Sequence, residues 1–481
     1  MLKKYQYHIV FFLLIISPYI LSDMYYGDDL FRSQKGYFGW SDDGRYFAEQ
    51  FYRVLSLGSS TLPDSYPIPL LISGAFFIFV FDKTLKNLNI DNSFISALLM
   101  AVMLSCPLLV ANFSFRYDSA FMLLSIAFAI LPFALCFKQK YLNFISSVIA
   151  LSISISFYQA SLNVFIGFSA ATFFFLSIKK EEAIKLFLFA IKQISALGLS
   201  YLVYKYFLLK LSSQSEYANN FNKIIELNTI GFNKLLQNIS QTKNLVTILL
   251  DSGMLLPFII CSVFLFSYSL FQSVIKRNLF IIPSLFITVI FLLLSISGVA
   301  LLGENAKFYP RIFIGMSVLL LFFPMSIYLL SKNVRLTSVC AAIFIIPSLI
   351  INQTSVNSIK NELRMYDRIS ISIIQNLDSL GLKNIDKLLI IGSPDITRET
   401  MVNISAFPVI AEFLPYHINE GYDGGRFSLM KNGMQNITYP NKKTREIIQA
   451  KIKGFSPVFE NKAYKIYIIS NIVVVCFSKN N

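Results

Sequence analysis

The residues of this chain best suited to chemistry sit in one polar stretch between the first two apolar segments. It reads Tyr25-Tyr26-Gly27-Asp28-Asp29-Leu30-Phe31-Arg32, then Trp40-Ser41-Asp42-Asp43-Gly44-Arg45, within a loop spanning residues 23–66. Adjacent carboxylates, an arginine one helical turn later and the chain's single tryptophan suit work on a sugar phosphate. A carboxylate accepts a proton from an attacking hydroxyl, a guanidinium holds a departing phosphate, and an indole face stacks on a pyranose ring. A solvated loop accounts for the same residues differently: Asp28 or Asp29 caps a helix and Arg32 lies on its outer face.

Composition decides what must position these groups. Of 481 residues, 55% are apolar and 14% charged, against about 25% charged in soluble domains, so long segments have lipid as their solvent. The net charge of +15 does not point to nucleic acid, because Lys and Arg fall in short runs between apolar segments, where membrane orientation explains them. Cys106, Cys136, Cys261 and Cys340 lie in or beside apolar segments, leaving Cys476 in a polar region; no disulfide framework or zinc spacing is present. His8 and His417 are the only histidines, which excludes His-cluster metal sites and leaves a Ser-His-Asp hydrolase only His417 to work with. Chemistry here runs on carboxylates, arginines, tyrosines and amides.

The apolar pattern predicts a mainly α, polytopic membrane bundle of about eleven spans, residues 1–351, followed by a small α+β domain, residues 352–481. Lys3 and Lys4 precede the first span, Ile9 to Leu21, and the absence of a small-residue cleavage site after it favours an anchor over a signal peptide. Inner turns then carry Lys83 and Lys86, Lys138 and Lys140, Lys179 and Lys180, Lys276 and Arg277, and Lys332 with Arg335. Every basic turn falls on one side under this count, which places the N-terminus in the cytoplasm and the first loop and C-terminal domain outside. The long apolar run from Leu142 to Ile178 divides into two short spans at Tyr158-Gln159, facing outward. Residues 210–245 read as an outer loop with a surface helix through Ile224, Ile225, Leu235, Leu236 and Ile239. In the tail, Asp367 to Leu380 reads as a helix, Lys387 to Ile391 as a strand, and Lys465 to Ile469 with Ile472 to Phe477 as a hairpin turning at Ser470-Asn471.

This threading gathers Asp28, Asp29, Arg32, Trp40, Arg45, Asp64, Arg116, Asp118, Tyr158, Gln159, Glu304, Lys307, Tyr309 and Arg311 at the outer ends of spans. Each charge taken alone also fits an interfacial ion pair, for example Arg116 with Asp118 or Glu304 with Lys307. Together, carboxylates and arginines without histidine match a site for a phosphate-bearing lipid and a hydroxyl nucleophile.

The run Gly27-Asp28-Asp29-Leu30-x-Arg32, followed by Trp40, Gly44-Arg45, Arg116-Tyr117-Asp118 and Tyr158-Gln159, resembles the serotype-converting O-antigen glucosyltransferases of the Gtr type. The likeness covers most of the membrane portion and fades in the tail. It implies a GT-C-like glycosyltransferase in the bacterial inner membrane. The implied donor is glucose on undecaprenyl phosphate at the periplasmic face, and the implied acceptor a sugar hydroxyl of lipid-linked O-antigen. Asp28 or Asp29 would be the base, one acting while the other orients it or pairs with Arg32. Arg45, Arg116 and Arg311 are the candidates for the leaving phosphate, with Asp64, Tyr117, Tyr158, Gln159 and Tyr309 among the substrate-binding residues. A β-linked donor and α-linked product would need one inverting displacement and no covalent intermediate.

No Gly-rich nucleotide loop is present, so no cofactor is implied; adjacent aspartates are not the DxD metal motif, which leaves a divalent metal open but unsupported by the sequence. A flippase for lipid-linked sugars would place ionisable residues at mid-bilayer on broken helices, whereas here the acids collect at span ends. A partner of an O-antigen polymerase, docking a soluble protein through the tail, is the other alternative.

Overall fold

The computed structural model describes residues 2–135, 137–212, 215–216, 220, 223–381, 387–419, 424–434, 437–469 and 471–477. Cys136 and the hairpin residue Ser470 lie outside these, as does part of the loop at 210–245. Apolar segments fold as helices because lipid offers no hydrogen bonds, so each segment must satisfy its own backbone.

Helix α1 (Leu2–Ser22) opens the chain, α2 (Asp29–Lys35) and α3 (Tyr46–Leu55) occupy the first loop, and α4 (Ile68–Asn87) follows. Helix α5 (Ser93–Leu104), N-capped by the Asn92 side chain, and the short α6 (Val110–Ser114) are bent by 64° at Pro107, whose missing N–H cannot continue a helix. Then come α7 (Asp118–Ala134), α8 (Lys140–Phe157), α9 (Leu162–Ile178) and α10 (Ala183–Val203). The break between α8 and α9 is a single turn at Gln159–Ser161, where the sequence places it. Helices α11 (Thr229–Leu249) and α12 (Leu255–Ile275) run on through one irregular turn, and α13 (Ile281–Ser295) and α14 (Gly315–Ser331) lead to α15 (Val334–Ser379). Among the described residues seven helices are long and apolar enough to cross a membrane, eight when the bent pair counts as one span; α7, α13 and α14 are shorter apolar helices.

Two local expectations change. The helix read at 367–380 is the end of α15, a 46-residue helix. Asn333 caps its start, and between Pro347 and Gly381 no glycine or proline stops it. In the loop at 210–245, α11 begins only at Thr229, while Ile224 bridges to Gly303 and the Ile225 N–H donates to Leu302 O; Asn228 caps the helix and excludes the two isoleucines from it.

The tail adds β1 (Leu388–Ile391), α16 (Arg398–Ala406), α17 (Gly424–Lys431), α18 (Lys442–Lys451), β2 (Phe459–Glu460), β3 (Tyr464–Ile469) and β4 (Ile472–Phe477). The sheet order is β1-β4-β3-β2, with β1 parallel to β4 and the hairpin β3–β4 antiparallel. One face of the sheet packs Leu388, Ile390, Ile466 and Val475 on Tyr366, Ile373 and Leu377 of α15, the helix that continues from the body into the tail. The first loop is no appendage: Trp40, Tyr52 and Phe38 belong to the same buried cluster as Phe77, Phe121 and Phe344.

Candidate active site

Gly27 sets up the two aspartates. Its φ of +56° is the left-handed region that glycine adopts freely, and a side chain there would meet the Phe115 ring at 3.0 Å. Asp28 then occupies the N-cap position of α2 with its carboxylate exposed and making no capping bond, and Asp29 is turned inward.

The neighbouring acids have different environments. Asp29 is 1% exposed, and its carboxylate accepts three backbone N–H groups: Tyr26 at 3.1 Å, Arg116 at 2.6 Å and Tyr117 at 3.2 Å. Burial, with the Asp118 charge adding to it, pushes its pKa well above the ordinary carboxylate range, and the three donors pull the other way. Its place is that of a staple: it fastens the first loop to the turn that the 64° bend delivers.

The arginines also divide. The Arg116 Nε donates to both oxygens of Asp64 (2.9 and 2.7 Å) and its Nη1 pairs with Asp23 at 2.6 Å, while the Tyr25 hydroxyl donates to Asp64 at 3.0 Å. Burial works against that charge, but the two carboxylates hold its pKa above the ordinary value. Arg116 is thus engaged in a clamp between loop and membrane body rather than with Asp118, and is not open to a phosphate. Arg32 does not pair with Asp28 or Asp29. It is buried, bonds to the Phe38 carbonyl through Nη1, and lies 4.0 Å over the Trp40 ring and 4.7 Å over Tyr37. The expected pairing fails because the loop folds back over α2 and closes on the guanidinium.

Trp40 has no face open to a sugar. It is fully buried, stacked on Tyr52 at 4.8 Å, edge-on to Phe121, and covered by Arg32; its Nε1 donates to Asp118 Oδ1 at 2.9 Å. Asp118, the first residue of α7, holds the other side of this arrangement with Arg45 Nη1 at 3.6 Å. Arg45 lies 5.2 Å over the Tyr158 ring, and Gln159 donates to the Tyr204 hydroxyl at 3.0 Å, which in turn donates to Gly44 O at 3.1 Å. Tyr158 and Gln159 therefore support the loop from below. Tyr117 bonds through its backbone, its N–H on Asp29 and its carbonyl accepting the Tyr52 hydroxyl.

Arg311 differs. It follows Tyr309-Pro310 in a short turn, and its main-chain carbonyl is fixed by the Asn112 amide (3.1 Å) and the Tyr158 hydroxyl (3.2 Å). Its guanidinium has aromatic neighbours, Phe115 at 5.5 Å and the exposed Tyr309 at 5.7 Å, and makes no ion pair within 4 Å among the described residues. Burial works to lower its pKa, yet Tyr158, Asp28 and Asp118 together hold it above the ordinary value. Exposed Asp28 and half-buried Arg311 thus lie within electrostatic reach of each other, while Asp29, Arg32, Arg116 and Asp118 each have hydrogen-bond partners.

Sequence reasoning missed part of the frame. Glu49, buried, bonds to the Ser41 N–H at 3.0 Å and Arg53 at 2.6 Å and fixes the turn after Trp40; its i,i+4 spacing to Arg53 was the available signal. The tail also reaches the loop. The Tyr26 hydroxyl donates to Phe413 O at 2.9 Å, Gln34 to Phe427 O at 2.7 Å, Phe31 meets Phe427 at 4.5 Å, and His417 bonds to the Gly27 backbone. Nothing local in the sequence announces these contacts.

A multi-pass helical membrane body that holds carboxylates and arginines on a buried loop defines a membrane protein with a polar site at one end of its bundle. The family profile described as Glucosyl transferase GtrII matches residues 18–322, more than half of the chain and all of the groups above except the tail contacts. The chain belongs to this glucosyltransferase family. A Salmonella phage P22 protein described as an uncharacterized 55.3 kDa protein in the gtrB 5′ region is 24% identical over 478 residues, covering 96% of this chain and 95% of that protein. No solved structure matches the chain.

Proposed function

We propose that this glucosyltransferase-family protein moves a glucosyl residue from an undecaprenyl-phosphate-linked donor to a hydroxyl of lipid-linked O-antigen, at the periplasmic face of the bacterial inner membrane. The observation that carries this reading is the division of labour between the aspartates. Asp28 is exposed beside an arginine without a carboxylate partner, and Asp29 is locked beneath it by three N–H groups.

Asp28 accepts the proton of the acceptor hydroxyl as its oxygen attacks the anomeric carbon. The bond from that carbon to the phosphate oxygen breaks with its electron pair, and Arg311 receives the phosphate through its two-pronged guanidinium. A single displacement of this kind inverts the anomeric configuration and leaves no sugar on the enzyme. Asp29, Trp40, Arg32 and Arg116 position the loop, Arg45 braces it against Asp118, and Tyr309 stands beside Arg311. In this reading about eleven spans put the loop and the tail (residues 352–481) on the same, outer side; their direct contacts support a shared side.

Comparison of O-antigen from strains with and without the gene tests the reaction: a difference of one side-branch hexose supports it, and identical polysaccharides refute it. For the sidedness, Ser59→Cys and Glu446→Cys in a Cys476→Ser background are expected to react with an impermeant maleimide from the periplasm. Labelling of either only after the inner membrane is opened refutes the orientation.

A further inference from the structure

Away from Asp28 and Arg311, a cavity of about 320 Å³ opens between the end of α1, helix α15 and the tail. Its charged lining comprises Asp23, Lys360, Arg364, Asp367 and Lys431, with His417 in its wall. Both carboxylates are engaged, Asp23 by Arg116 at 2.6 Å and Asp367 by Lys431 at 2.8 Å. Lys360 and Arg364 stand at i,i+4 spacing on one face of α15 and make no ion pair among the described residues. The lining therefore carries a net positive charge, and its two cations without an ion pair among the described residues, Lys360 and Arg364, stand near the end of α1.

His417 supplies an independent observation. It is 3% exposed, and its Nε2 has no hydrogen-bond partner among the described residues. Burial lowers its pKa to about 4, so the ring is neutral, and the Gly27 backbone bond, which favours the protonated ring, is one in which the ring donates to a carbonyl. Nε2 then carries a lone pair that requires a donor. A bare anion satisfies the cations but not this nitrogen; a sugar bearing a phosphate satisfies both, and the volume matches the small end of ligand pockets, about 300–1,000 Å³.

The geometry points to a second phosphate subsite here, taking a phosphorylated saccharide with its phosphate on Lys360 and Arg364 and a hydroxyl donating to His417 Nε2. On the transfer reaction proposed above, which this assignment presupposes for its biological role, two lipid-linked substrates bring phosphate to the same membrane face. Arg311 takes the donor's; this cavity, across Gly27 from Asp28, takes the acceptor's.

Binding tests this without transfer. The full chain carrying Arg311→Gln, in phosphatidylcholine nanodiscs, is titrated with glucose 1-phosphate, inorganic phosphate and glucose by thermophoresis. Glucose 1-phosphate is expected to bind more tightly than either of the others, and adding Lys360→Gln and Arg364→Gln to weaken it about tenfold or more, from the loss of charge-assisted hydrogen bonds. Both residues are half-buried or exposed, and an unchanged melting temperature checks that the variant is folded. Loss of all sugar-phosphate binding in Arg311→Gln alone, equal affinity with and without the α15 substitutions, or equal affinity for inorganic phosphate overturns the subsite. Farnesyl-phosphoglucose separates the sources: affinity about tenfold above that of glucose 1-phosphate assigns a membrane-borne ligand, and equal affinity a soluble one. Intact binding in a protein that transfers no sugar would refute the proposed reaction and leave the subsite standing.

Discussion

Exchanging each of the two neighbouring acids for its amide separates catalysis from architecture. Asp28→Asn keeps the size and polarity of an exposed side chain that caps no helix, so the fold should be unmoved, with a stability change within about 0.5 kcal/mol. It removes the proposed proton acceptor, and loss of a positioned general base lowers turnover by about 10²–10⁴-fold. Asp29→Asn acts differently. Tyr26 and Arg116 donate to Oδ2 and Tyr117 to Oδ1, so whichever way the amide turns, its NH₂ faces at least one buried N–H. Each donor left unsatisfied costs about 1–3 kcal/mol, and the loop loosens from the turn at Arg116-Tyr117. Purified variants in nanodiscs are assayed for hexose transfer and for thermal unfolding. The expected result is a folded, inactive Asp28→Asn and a destabilised Asp29→Asn whose remaining activity follows its folded fraction. Wild-type turnover by Asp28→Asn would refute the assignment, as would wild-type stability of Asp29→Asn together with lost turnover.

Arg311→Lys keeps the charge but loses the fork, and transfer is expected to fall about 10²–10³-fold with an unchanged melting temperature; a fall of less than about threefold would leave the phosphate to another group. Trp40→Phe removes the Nε1 donor to Asp118 and should cost about 1–3 kcal/mol in chemical denaturation, because a buried carboxylate oxygen loses its bond; unchanged stability would show that Trp40 does not hold α7 to the loop. The histidine sets a pH dependence. Its pKa falls on folding from an ordinary 6.5 to about 4, so its contribution is present above pH 6.5 and lost as pH falls toward 4, up to about 3 kcal/mol. The melting temperature of the wild type should drop over that window more than that of His417→Gln, and equal slopes would count against it.

Much of the design was legible in the chain itself. Apolar runs of span length, separated by Lys83, Lys138, Lys179, Lys276 and Lys332 turns, dictate helices and their alternation, since lipid forces each segment to satisfy its own backbone. The turn at Gln159–Ser161, strand β1 and the β3–β4 hairpin stand where local pattern puts them. The polar stretch with Asp28 and Asp29 also stood out by residue type alone, as did Arg311 beyond a later span.

What residue type could not decide was which of these groups stay exposed and which are held by partners. Asp28 and Asp29 are chemically identical neighbours, separated only because Gly27 turns the chain and the 64° bend at Pro107 brings the Arg116 and Tyr117 N–H groups onto one carboxylate and not the other. Arg116 and Arg311 carry the same charge, but Asp23 and Asp64, distant in sequence, close on the first alone. Trp40 became a core residue because Arg32, Tyr52 and Phe121 converge on it from three separate elements. Periodicity and composition act over a few turns of chain and so fix where the helices fall. The environment of a charge depends on contacts made across hundreds of residues, such as His417 with Gly27, and those exist only once the chain has folded.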